Sequence, residues 1–114
     1  MIRIGLKTPL DAVPEIAGVG FDCPELPLRD VAALSESEFD ELTEYLAYLN
    51  VRVGAVSDLI PDGLRVNGPA VSAQAQHDYL SLAFARANAL GADIAAFDAP
   101  KARAVPAGFD FALA

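Results

Sequence analysis

The stretch that decides the fold is Ser35–Val56, SESEFDELTEYLAYLNVRVGAV. Ser35 and Glu38 form an S-x-x-E capping box, which predicts a helix start. Phe39, Leu42, Leu46 and Leu49 then recur at helical spacing, while Asp40, Glu41 and Glu44 fall on the other, solvated face. The helix runs to about Asn50. Val51, Val53, Ala55 and Val56 follow at once as a mostly apolar, β-branched strand. A near-continuous apolar strand directly behind an amphipathic helix suits a parallel sheet covered by helices.

The same alternation extends in both directions. Upstream, Ile2, Ile4 and Leu6 alternate as a first strand that Thr8-Pro9 ends. A short helix over about Ala12 to Ala17 follows, with Asp11 expected as its cap, Pro14 in its first turn, and Gly18 and Gly20 as stops. Phe21 to Leu28 reads as a second strand. Pro24 and Pro27 require it to be short or irregular, and a polar gap separates it from Ser35. Downstream, Ser57 to Pro69 reads as a long loop, and loops of that length in compact domains are often functional. A helix over about Val71 to Leu90 places Leu80, Ala83, Phe84, Ala87 and Leu90 on one face, capped by Gly91. Asp93 to Phe97 is the fourth strand, and a further helix is expected to begin at Asp110. The order β-α-β-α-β-α-β gives an α/β chain with a parallel sheet. It closes either as a doubly wound open sheet or as part of a β/α barrel. Neither G-x-G-x-x-G after the first strand nor G-x-x-x-x-G-K-[ST] occurs, which weakens the nucleotide-binding forms of the open sheet.

The chain has 114 residues, one cysteine, 54% hydrophobic residues and a mean hydropathy of +0.33. That is the size of one domain. Its net charge of −8 repels phosphate backbones and anionic lipid, so no nucleic-acid or membrane partner is expected. No apolar run reaches the length of a membrane span. A single cysteine excludes an internal disulfide and fits a reducing, cytoplasmic setting.

Four segments in order carry a resemblance over essentially the whole chain. Gly20-Phe21-Asp22 with Glu25-Leu26-Pro27-Leu28 resembles the second strand of the xylose isomerase-like TIM barrels, the sugar phosphate isomerase/epimerase family that includes the AP endonuclease family 2 barrels. Ser57 to Pro69, with Leu59, Pro61, Leu64 and Gly68-Pro69, resembles that family's loop after strand three. Ala89-Leu90-Gly91-Ala92 with Ile94 and Phe97 resembles the approach to strand four. Ala102-Arg103, Val105-Pro106 and Gly108-Phe109-Asp110 resemble the segment after strand four. A full barrel needs eight strands in about 250 residues. The resemblance therefore implies that residues 1–114 are a single domain, the first half of a TIM barrel with about four strands and three helices, truncated before its fourth helix. It further implies carbohydrate isomerisation or epimerisation by proton transfer next to a carbonyl, on a sugar or sugar-phosphate substrate. A divalent metal (Mn, Mg or Zn) is implied too, but its ligands come mostly from later strands and are not evident here, so the chain alone is expected to be inactive. The sequence departs from the family at Asp98-Ala99-Pro100-Lys101, where a Gly/Ser-rich turn is common.

Glu25 is the catalytic and substrate-binding candidate, because it nears the carboxyl end of strand two, where barrel sites are built. Ser57 and Asp58 end strand three at the same rim and could bind substrate hydroxyls. Asp58 could equally brace the turn. Arg103 suits phosphate or carboxylate recognition and falls within the resemblance, although Asp98, Lys101 and Arg103 also read as solvated charge. His77 is expected on the packed side of its helix, and Cys23 has no histidine near it in sequence. The alternative function is a non-catalytic half-barrel that self-assembles, as a homo-oligomer, or binds a complementary partner chain. A complete open-sheet domain with a small-ligand crevice is a third reading.

Overall fold

The computed structural model describes residues 3–108. Four strands, β1 (Gly5–Lys7), β2 (Cys23–Pro27), β3 (Ala55–Ser57) and β4 (Ile94–Ala95), form one sheet in the order β1-β2-β3-β4. Every pairing is parallel, with Lys7 opposite Glu25, Glu25 opposite Ala55, and Ala55 opposite Ile94. Among the described residues the strand order does not reverse.

Among the described residues α1 (Val13–Val19) joins β1 to β2, α2 (Leu28–Ala33) and α3 (Glu36–Leu49) join β2 to β3, α4 (Ala73–Leu90) joins β3 to β4, and α5 (Pro100–Arg103) follows β4. The main core gathers Val13 of α1, Leu28 and Val31 of α2, Phe39 and Leu46 of α3, and Ala83 and Ala87 of α4 around Leu26, Val53 and Val56 of the sheet side. Leu6, Pro24, Leu26 and Val56 alternate with Gly5, Lys7, Cys23, Glu25 and Ala55, which occupy the opposite face. That second face is open and lines a cleft of about 400 Å³.

Local chemistry explains the elements. The Ser35 hydroxyl accepts from the Glu38 N–H at 3.1 Å, and Asn50 closes α3 in the left-handed region at φ 54°. Gly91 closes α4 at φ 78°. Pro24 is tolerated in an inner strand because the β2–β3 ladder begins only at Glu25, and Pro27 stands at the strand's last position.

Several expectations need correction. The polar gap after β2 is helical: Leu28, Val31 and Ala32 bury the inner side of α2. Asp11 caps nothing. It lies in a 3₁₀ turn, Leu10–Ala12, closed by the Ala12 N–H on the Pro9 carbonyl at 3.0 Å, and α1 has no side-chain cap. Gly18 lies within α1, which Gly20 ends at φ 87°. Phe84 is 46% exposed and the His77 side chain 76%. These two residues, seven apart, share a flank about 100° from the buried Ala83–Ala87 line, so neither faces the core. No sequence signal points to α5; Ala99 and Ala102 there form a second small core with Ile60. Ile2 and the helix expected at Asp110 lie outside the described residues.

Candidate functional site

The carboxyl ends of β1, β2 and β3 meet in a rim. Lys7 is the last residue of β1 and Glu25 is its register partner on β2, so the two side chains stand side by side on the open face. Beyond β3 the chain turns sharply at Asp58, whose φ of 49° is in the left-handed region. Two bonds hold that turn. The Asp58 carbonyl accepts from the Arg29 N–H at 3.2 Å, and its carboxylate receives the Lys7 ammonium at 3.2 Å. Lys7 thus reaches across the end of β2 and ties β1 to β3. Thr8 continues β1 into the rim: its N–H donates to the Glu25 carbonyl at 2.9 Å and its buried hydroxyl to the Leu6 carbonyl at 2.6 Å.

Two clefts share Lys7. One, of about 330 Å³, lies on the rim between Lys7, Thr8, Pro27, Arg29, Asp30 and Asp58. The other is the open-face cleft, where Glu25 stands with Arg3, Lys7 and Cys23. Each offers paired positive and negative groups, the chemistry that holds polyhydroxylated ligands: carboxylates accept from hydroxyls, while ammonium and guanidinium donate to oxygens.

Beside the rim, the Tyr79 hydroxyl of α4 donates to the Leu59 carbonyl at 2.5 Å. Burial pushes its pKa up to about 12; the nearby Arg29 guanidinium works against that shift and Asp30 adds to it. Tyr79 therefore remains a neutral donor at any physiological pH.

The structure brings Glu25 and Asp58 together around Lys7 and leaves the other two candidates apart. Ser57 lines neither cleft. It is buried, with its hydroxyl enclosed and without a hydrogen-bond partner. Arg103 also lines neither; it pairs with Asp98 at 3.7 Å and lies 5.8 Å from the Phe97 ring centroid. The long loop is held rather than open. Arg65 donates to the Lys101 and Ala104 carbonyls, Asn67 donates to the Arg103 carbonyl, and Lys101 pairs with Asp62 at 3.2 Å. Cys23 is half-buried, and its sulfur fills the space that a Cβ at Gly54 would need, 2.7 Å away.

A divalent metal finds no fitting donor set among the described residues. No three His, Cys, Asp or Glu side chains converge, Asp58 is engaged by Lys7, and His77 is on the exposed flank of α4. Sequence reasoning misses Lys7, Thr8, Arg29 and Tyr79. β2 runs on to Pro27, so Glu25 is its central residue and not its carboxyl end as expected; the strand-end rule that singles it out fits Lys7, the last residue of β1. Among the described residues no helix is long and apolar enough to cross a membrane. Comparison of the sequence with protein-family models, with curated proteins and with solved structures finds no match.

Proposed function

We propose that this chain is the amino-terminal half of a β/α barrel of the sugar phosphate isomerase/epimerase type, and that its rim binds the substrate's hydroxyl and phosphate groups. The observation that carries this reading is the Lys7–Asp58 pair, which joins the carboxyl ends of β1 and β3 beside Glu25 of β2, in a parallel sheet whose strand order follows the sequence. Barrel chemistry is built at that end of the strands.

The reaction moves a proton from a carbon next to a carbonyl to a base. The C–H electron pair shifts into the carbonyl to give an enediolate, and the proton returns to the same carbon or its neighbour. In this reading Glu25 accepts from a substrate hydroxyl or takes that proton. Lys7 and Arg29 hold phosphate or hydroxyl oxygens, and Asp58 fixes Lys7. Arg103 and Ser57, which line neither cleft, take no part in this chain's own rim. Among the described residues no three metal-ligating side chains converge, and in this reading the four strands bind substrate while turnover needs the rest of the barrel.

Titration of the isotope-labelled chain with pentose and hexose phosphates tests this. Amide shifts at Lys7, Thr8, Glu25 and Asp58 are expected at millimolar ligand, and Glu25→Gln and Lys7→Met should weaken them. No shift with any sugar or sugar phosphate would sink the binding claim. Deuterium wash-in at the carbon beside the carbonyl, catalysed by the chain alone, would sink the claim that it is incomplete.

A further inference from the structure

The two outer margins of the sheet are complementary. β1 forms one and β4 the other, and all four strands run in the same direction. Among the described residues neither margin is paired on its outer side, which leaves backbone N–H and C=O groups available to another strand. Both edge strands also carry exposed large apolar side chains: Ile4 and Leu6 at β1, and at β4 Phe97 and Ile94, the latter 65% exposed on the open face beside Ala55. Charge tells them apart. Arg3 and Lys7 bracket β1, whereas Asp93 and Asp98 bracket β4. In a parallel junction the two strand starts meet, so Arg3 comes opposite Asp93, while Lys7 at the other end stays with Asp58. The internal pairs Arg52–Asp93 and Arg103–Asp98 are surface contacts at 3.4 and 3.7 Å, too weak to compete strongly.

We propose that a second copy of this chain occupies these margins, with β4 of each copy against β1 of the other. A β4-to-β1 contact joins two different surfaces, so it either closes or propagates. Two copies close it as a twofold cylinder of eight parallel strands, the number whose interior side chains just fill. The open face of Gly5, Cys23, Glu25 and Ala55 becomes that interior. This inference rests on strand order and margin chemistry, not on the sugar reading.

Equilibrium sedimentation of the full chain from low to high micromolar concentration tests it. The expected mass is twice the chain's 12.0 kDa. Ile94→Lys and Asp93→Arg should each weaken association at least tenfold with far-ultraviolet circular dichroism unchanged. Adding Arg3→Asp to Asp93→Arg should restore the pair, because every junction then carries the same attraction reversed. A wild-type monomer throughout, a mass that climbs past two copies, an Ile94→Lys protein that stays paired, or a double exchange no better than Asp93→Arg alone would each overturn the proposal. Phe97→Lys, at a β4-side residue that lines neither cleft, should also give a monomer, and sugar-phosphate titration of that variant reads the rim separately, so the two proposals fail independently.

Discussion

Arg86 is 5% exposed, yet it is among the most connected side chains described. Its guanidinium donates to the carbonyls of Val31 at 2.7 Å, Ala32 at 3.3 Å and Leu34 at 2.7 Å, pairs with Glu36 at 3.3 Å, and lies 4.9 Å from the Phe39 ring centroid. It satisfies the carbonyls that a six-residue helix leaves open at its end. Arg86→Met should destabilise the fold by about 2–4 kcal/mol in urea unfolding, since those acceptors lose a charged donor and stay buried. Ser57 predicts the opposite. Its enclosed hydroxyl has no partner, so Ser57→Ala should be neutral or stabilise by about 1 kcal/mol; a clear loss of stability would mean the hydroxyl is bonded after all. Tyr79 sets a pH dependence. Burial raises its pKa from 10.0 to about 12, so the folded state favours the protonated form. That stability is fully present below pH 10 and is lost as pH climbs through 12. Between about pH 10 and pH 12 the unfolding midpoint of the wild type should fall more steeply than that of Tyr79→Phe.

Elements are legible where one physical signal dominates. α3 announces itself through its capping box and apolar stripe; the apolar run Val51, Val53, Ala55 and Val56 locates β3, although only Ala55–Ser57 pairs as strand. α2 stays hidden because six residues carry less than two turns of periodicity. Pro27 before it reads as loop punctuation, although in fact it stands at the N-cap position. Its end is stabilised by Arg86, more than fifty residues away, which no local pattern reveals. Phe84 and His77 are misplaced by a sequence reading because the α4 stripe is built on alanines, whose small side chains define a narrow seam that larger neighbours overshadow. The approach of β3 to β2 gives a test at this scale. Gly54→Ala would place its Cβ 2.7 Å from the Cys23 sulfur. It should cost about 1–3 kcal/mol by overpacking, and Cys23→Ala in the same chain should recover much of that loss, a coupling visible in a double-mutant cycle.

At the scale of the molecule, the chain has a radius of gyration of 16.0 Å and spans 49 × 30 × 22 Å. A compact domain of this length has a radius near ~13 Å. A closed pair of copies would have a radius near ~17 Å, so small-angle scattering should show forward intensity doubling while the radius grows by only about one ångström. An open, end-to-end association would lengthen it far more. Glu25 and Asp58 of the candidate rim are read from sequence through their nearness to strand ends, and the same rule could have found Lys7 at the end of β1. Arg29 and Tyr79 could not be found that way, because their place depends on how the Asp58 turn folds back over the sheet. Arg103 is drawn in by its chemistry and left out by its local partners, Asp98 and Phe97. The buried Arg86 also bears on the order in which the chain acquires structure. During synthesis, α2 emerges long before the guanidinium that completes it, and so short a helix does not persist unaided. That helix therefore gains its closing donor only once α4 is made, and premature termination ahead of that arginine would release a polypeptide whose α2 carbonyls lack it.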